Sequence, residues 1–328
     1  MPTPDIRSEI IAGPLQDAST RFKNSSYIAD KIFPIKDNIS HKAKYTKYFR
    51  GDWFRDEAAL RAPGSKAKRG DYKLTSVSIQ TLQYAFAKAV TREDIESQGM
   101  VGAPPVNSQQ DAIEYCADKI DLRKEVRIAE IIQAATWADG NAGGEDVAGQ
   151  WAHTVASGTN TFFTDITAGI IKIQSETGMT PNTLVLDYRT MEDLKQNPDV
   201  ADKIKYTMKN VVTADLLGSL LGLNVLVGGA ITNTAKEEKT DTMTAKYVWE
   251  KTATKGSAFL CYTPQTMGLK VPTAGGQFRV KQQGGGGRLN RVFREEAEDQ
   301  WVYECREDTD IQIIASQLGY AWVDTILT

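Results

Sequence analysis

The chain has 328 residues, 41% of them hydrophobic and 25% charged, with a formal net charge of −3, which is enough to supply cores for two ordinary domains. No run reaches the roughly 18 consecutive apolar residues of a membrane span, and MPTPDIRSEII lacks the basic-then-apolar layout of a secretory signal, so the expectation is a folded, soluble protein that stays where it is made. Cys116, Cys261 and Cys305 are far apart and set in apolar surroundings, which fits reduced core thiols better than a disulfide framework or a metal site.

The first 40 residues are polar with scattered apolar positions such as Ile10, Leu15, Tyr27 and Phe33, and without a sustained period they read as an extended arm. From 41 to 91, KAKYTKYFRGDWF and YKLTSVSIQTLQYAF flank RAPGSKAKRGD, whose Pro63, Gly64 and Gly70 form turns. This predicts a long hairpin with a wide basic tip. Arms of about 15 residues would reach about 50 Å, beyond the radius of gyration of about 18 Å for the remaining body. Two strands alone are marginal in water, so the overhang needs a partner surface.

After Pro104 and Pro105, residues 107–136 predict one long amphipathic helix. Asn107 or Ser108 is the N-cap, and Ile113, Ala117, Ile120, Ile128, Ile131 and Ile132 recur at helical spacing. The Gly-rich WADGNAGGEDVAGQW marks a boundary, and a second helix is expected from Phe163 to Glu176 with Gly178 as its stop. Beyond it NTLVLD reads as a buried strand, YRTMEDLKQ as a helix, GLNVLVGG as a strand, and YVWEKT with SAFLCYT as a strand pair. QQGGGGR at 282–288 is a flexible loop, and the closing segment from VFREEAEDQ onward is a set of alternating strands.

Chemistry is sparse. The two histidines, His41 and His153, sit in no ligand pair or triad, and no GxSxG, HExxH or Walker sequence is present. Gly284–Gly287 lack the following Lys-Ser/Thr of a phosphate loop, and GLNVLVGGA is not GxGxxG. The acidic runs at Glu295, Glu296, Glu298, Asp299 and at Glu307, Asp308, Asp310 fit a solvated turn and strand face better than a cation site. No catalytic residue, cofactor or metal is expected. Charge, however, is unevenly placed: residues 21–92 carry about +10 and residues 93–328 about −11. An acidic body repels DNA from most of the surface, so the basic segment of one copy on the acidic body of another is the favoured reading. Lys66, Lys68 and Arg69 at the hairpin tip are then candidates for inter-subunit contact, with DNA contact or simple solvation as the alternatives.

The order of these pieces, with GDWFRDEA and RAPG near the start and NTLVLD, NPDVADKIKY and LGLNVLVGGAITNTA in the middle, resembles the tailed-bacteriophage major capsid protein family. That resemblance implies an α+β Hong Kong 97 fold. Residues 1–40 would be the N-terminal arm, 41–91 the extended loop, 92–150 and 291–328 the peripheral domain with its spine helix at 107–136, and 151–290 the axial domain. It also implies a homo-oligomer of hexamers and pentamers that closes an icosahedral shell around DNA without sequence-specific binding, has no membrane association, and is made in the host cytoplasm and built into the virion. Trp53, Phe54 and Arg55 join Lys66, Lys68 and Arg69 as contact candidates. Portal and decoration proteins are further implied partners. Only a short polar stretch precedes the arm, so a separately encoded scaffolding protein is expected. The alternatives are an encapsulin-type nanocompartment shell, a nucleic-acid-binding module using residues 21–92 and, remotely, an α/β enzyme with an unrecognised site.

Overall fold

The computed structural model describes residue 24 and residues 27–97, 107–154, 160–204, 212–236, 243–251, 255–268, 270–281 and 287–326. Most of the expected arm, Pro104–Pro105 and Gly284–Gly286 lie outside the described residues. Residues 27–39, expected as part of that arm, are folded onto the body. Helix α1 (Ala29–Ile32) is a single turn, and its i, i+4 spacing puts Ile28 and Ile32 beside Ala29 and Phe33, all at 3% exposure or less. Strand β1 (Ile35–Ile39) then pairs in parallel with residues 277–280. Gly275 makes room for this segment, since a Cβ there would lie 2.5 Å from the Phe33 ring.

Strands β2 (Lys42–Tyr48) and β3 (Leu74–Gln80) form an antiparallel ladder from Lys42 opposite Gln80 to Tyr48 opposite Leu74, with the turn α2 (Arg50–Trp53) beyond it. Its seven-residue arms are shorter than expected because the second β-rich stretch divides at Thr81. Strand β4 (Leu82–Thr91) leaves the hairpin and pairs antiparallel with residues 300–309 of the body, ahead of α3 (Arg92–Ser97).

Helix α4 (Ser108–Ala134) is capped by Asn107, whose side chain accepts the Gln110 N–H at 3.2 Å. Ala112, Cys116, Ile120, Ile128 and Ile132, at multiples of four, are all buried. Strand β5 (Glu145–Asp146) precedes α5 (Phe162–Thr177), which ends where Gly178 turns left-handed at φ 68°. Strand β6 (Thr183–Asp187) is buried at every residue, as its continuous apolar run requires, and Asp187 caps α6 (Tyr188–Gln196) by accepting the Arg189 and Thr190 N–H groups. Helices α7 (Pro198–Ile204) and α8 (Ala214–Leu221) lead to β7 (Asn224–Gly228), the small pair β8 (Ile231–Asn233) and β9 (Ala245–Tyr247), and β10 (Ser257–Cys261). Tyr247 thus ends a strand paired with β8, and Val248–Lys251 form no strand pair with SAFLCYT. The chain closes through β11 (Gly275–Val280), β12 (Arg288–Glu295), β13 (Gln300–Ile313) and β14 (Gly319–Val323).

Two five-stranded sheets result. In one, β13 is the shared strand: β4 and β12 pair with its first ten residues, and β11 with its last five, carrying β1 alongside. The other runs β5-β14-β10-β6-β7, so β14 sits between β5 and β10 rather than beside the other closing strands. One large hydrophobic cluster joins them, from Phe33, Ile128 and Ile311 to Phe162, Leu184 and Trp322, and two small ones, Val90 with Ala112 and Tyr303 and Cys116 with Ile120 and Cys305, lie where α4 meets β4 and β13.

Candidate inter-subunit surface

The β2–β3 hairpin has two unlike faces, as its two-residue alternation dictates. Ala43, Tyr45, Val77 and Ile79 turn toward the body, where Tyr45 stacks on Phe278 at 5.6 Å between ring centres and Ile79 is 3% exposed. Lys42, Lys44, Thr46, Ser76, Ser78 and Gln80 are exposed on the other face.

Farther out, Tyr48, Trp53 and Tyr72 pack on one another with ring centres 5.8–5.9 Å apart. They remain uncovered: Trp53 is 60% exposed, Phe54 63% and Leu60 fully so, with Phe49, Tyr72 and Leu74 about half exposed. A concentration of large apolar side chains on one projecting element is the usual mark of a binding surface. Arg50 clips this element to the body by donating to the Glu176 carbonyl at 2.8 Å and to its carboxylate at 3.1 Å. Burial raises the Glu176 carboxyl, but hydrogen bonds from Lys172 and Arg50 outweigh it and hold the group below the usual range.

The six contact candidates fall into two groups. Trp53, Phe54 and Arg55 lie at the start of the tip, where Phe54 rests near Gly178 and Arg55 is engaged locally by Asp52 and Glu57 at 3.8 and 3.3 Å. Lys66, Lys68 and Arg69 follow a turn closed by the Ser65 N–H on the Ala62 carbonyl, and are exposed with no ion-pair partner among the described residues.

The 295–299 acidic run, expected as a solvated turn, lies beside α3, a neighbour that the sequence alone does not place there. The Arg92 N–H donates to the Asp299 carbonyl at 3.3 Å and the Arg92 guanidinium lies 3.6 Å from the Asp299 carboxylate, so Glu93, Asp94, Glu96, Glu295, Glu296, Glu298 and Asp299 gather at one end against Arg92 and Arg294. Only charge signs along the chain carried this signal, because the partners are some 200 residues apart in sequence.

Inside the body, Glu125 of α4 is fully buried and accepts the Ile28 N–H at 3.1 Å, the Ala29 N–H at 2.8 Å and the Trp249 indole N–H at 2.6 Å. Burial raises its carboxyl above the ordinary value, with these bonds pulling the other way. The group therefore fixes residues 28–29 to the long helix. Burial likewise pushes the Cys261 thiol up to about 12 and Cys305 up to about 11, so neither is a ready nucleophile. Among the described residues no cluster of three or more His, Cys, Asp or Glu is placed to hold a metal. The best-formed cavity, lined by Val185, Asp187, Trp249 and Trp322, has room for about one water.

No protein-family model matches the chain. Over 239 residues it is 28% identical to the major capsid protein of Burkholderia phage BcepMu, covering 71% of this chain and 74% of that one. In fold it is similar to a phage-related protein from Bordetella bronchiseptica RB50, with TM-score 0.65 and 22% identity over 98% of this chain and 97% of the other. It is also similar to the capsid subunit of cyanophage P-SCSP1u, with TM-score 0.60 and 10% identity over 95% and 91% of the two chains. The mature capsid of bacteriophage PhiM1 gives TM-score 0.59 and 10% identity over 94% and 89%. The chain is thus similar in sequence to one phage major capsid protein, and it has the fold of phage capsid subunits along nearly its whole length.

Proposed function

We propose that this protein builds the icosahedral head shell of a tailed phage, with copies associating as hexamers and pentamers around packaged double-stranded DNA. Its role is structural. The observation that carries the reading is the joint likeness, in sequence to one major capsid protein and in fold to several phage capsids. In this assignment the chain takes the Hong Kong 97 layout. Residues 1–40 are the arm, with 27–39 laid on the body, residues 41–91 contain the extended loop, α4 is the spine of a peripheral domain around β13, and the β6–β10 sheet belongs to the axial domain.

Trp53, Phe54 and Arg55 would dock by apolar burial on an adjacent copy, while Lys66, Lys68 and Arg69 would be met by acidic surface there, such as the end formed by α3 and the β12–β13 turn. Each contact is modest, and symmetry repeats it around the shell. A separate scaffolding protein, a portal and decoration proteins complete the proposed partner set, with synthesis in the host cytoplasm.

Negative-stain microscopy of the purified protein, alone and with its scaffolding partner, tests the assignment. Closed shells or capsomers are expected. A monomer that persists across salt and protein concentration with scaffold present would overturn it, and shells filled with an enzyme rather than nucleic acid would shift it to a nanocompartment.

A further inference from the structure

The hairpin leaves the body between His41 and Thr81, where the Thr81 N–H donates to the His41 carbonyl at 3.1 Å. Asp308 and Asp310 of β13, two residues apart on one face of the strand, look onto this junction. Asp310 is well supplied, accepting the Gln80 N–H at 3.2 Å and the Gln312 side-chain amide at 2.7 Å. Asp308 is not. It is 4% exposed, one of its carboxylate oxygens has no partner, and the charged group within reach among the described residues is His41, whose Nδ1 lies 4.0 Å from the other oxygen.

A buried carboxylate without donors is costly, and a cation beside it offsets part of that cost. Imidazole supplies the cation only when protonated, and it is the side chain whose charge ordinarily changes between about pH 5 and 8. Arg306, two residues before Asp308 on the same face of β13, has a buried Nε without a partner and makes no ion pair with Asp308 within 4.0 Å among the described residues, and the remaining charged groups nearby are otherwise placed. Lys42 lies with Lys44 on the exposed hairpin face, and Arg127 of α4 reaches the Thr309 hydroxyl at 3.0 Å on the other side of β13. His41 itself is 67% exposed in its side chain, so protons reach it freely, and its Nδ1 is also 3.2 Å from the Thr81 hydroxyl.

We propose that His41 and Asp308 form a proton-operated clasp at the root of the hairpin. With His41 charged, the pair holds the root against β13. With His41 neutral, Asp308 is left buried and unpaired, and the root relieves this by opening to water, which frees the hairpin to change its angle to the body. The clasp concerns one subunit and does not depend on shell assembly.

Hydrogen exchange of the full-length protein at pH 6 and pH 8, corrected for intrinsic exchange rates, reads the clasp directly at residues 42–48 and 74–80. Protection there should fall about 1.5- to 5-fold on going to pH 8, the range of a partly exposed ion pair. His41→Lys should keep high protection at both pH values, and His41→Gln should give low protection at both. Exchange at 183–187 serves as the folding control, and because the His41 side chain is mostly exposed these two variants carry the test even if Asp308→Asn perturbs the fold. No pH step in the parent, or a step that persists in His41→Gln, would overturn the proposal.

Discussion

Strand β6 and the β2–β3 hairpin are both β-rich, and they solve opposite problems. Every residue of β6 is buried between β10 and β7, so its apolar side chains and its backbone are both satisfied within one chain. The hairpin has a root packed on the body and an uncovered end, with Trp53, Phe54 and Leu60 at 60% exposure or more. Apolar area left in water on a projecting element contributes nothing to the fold of its own subunit, at about 25 cal/mol per Å² forgone until something covers it. Stability is therefore concentrated in the body, and uncovered apolar surface is concentrated in the hairpin.

The sharpest way to break this contrast is to damage the body. Trp322 touches Trp151 and Tyr320, with ring centres 5.5 and 4.7 Å away, and Gly169 is bare because a Cβ there would lie 2.8 Å from the Trp322 ring. Trp322→Ala should cost about 3–5 kcal/mol in denaturant unfolding. A loss below about 1 kcal/mol would show that the core is not centred there.

Glu125→Gln should cost about 1–3 kcal/mol, since the carboxyl offers two acceptor oxygens to these N–H donors in either protonation state and the amide offers one. Its pH dependence has a definite sign. Because burial raises the folded-state value, the Glu125 contribution to stability is greatest in acid and falls as pH rises through that value. The stability gap between parent and variant should narrow from acid to neutral pH, and a gap that widens would contradict the buried-carboxylate account.

Trp53→Ala combined with Phe54→Ala should leave unfolding of the isolated subunit within about 0.5 kcal/mol of the parent, as for other exposed positions, while lowering particle yield. Smallest per contact is charge. Reversing Lys66, Lys68 and Arg69 to Glu removes pairs worth about 0.2–1 kcal/mol each, a change to be read in particle yield at low salt. Added salt should restore part of that yield by screening over about 8–10 Å. Equal yields for mutant and parent at low salt would assign the tip to solvent.

Local signals were the legible ones. A cap at Asn107 or Ser108, the helical spacing of Ile120, Ile128 and Ile132, Gly178 as stop and the unbroken TLVLD run each act within a few residues, and each has its counterpart in the structure, although Ile113, Ala117 and Ile131 are half-buried while Ala112 and Cys116 take the buried face. What was missed depends on distant partners. Nothing local at Thr81 separates β3 from β4; the division comes from β13, which claims residues 82–91. Ile28–Phe33 read as arm because the apolar patch is only one turn long, and its burial is decided by Glu125 nearly a hundred residues on. Trp249 looked like part of a strand, yet its indole serves that same carboxylate. At the surface, the basic tip was visible as composition, whereas the gathering of α3 with the 296–299 turn needed the register of β12 on β13.

The position of β14 also sets a timetable for synthesis. Residues 319–323 supply the strand between β5 and β10, so the sheet containing β6 stays open on one side until they have cleared the ribosome. At about 5–20 residues per second, every nascent copy spends seconds with most of its chain translated and the β14 place in this sheet unfilled. The projecting hairpin, by contrast, is complete by residue 80. A chain interrupted shortly before Gly319 would therefore carry the exposed Trp53–Leu60 element on a body whose β13 sheet has all its strands but whose β6 sheet is still open.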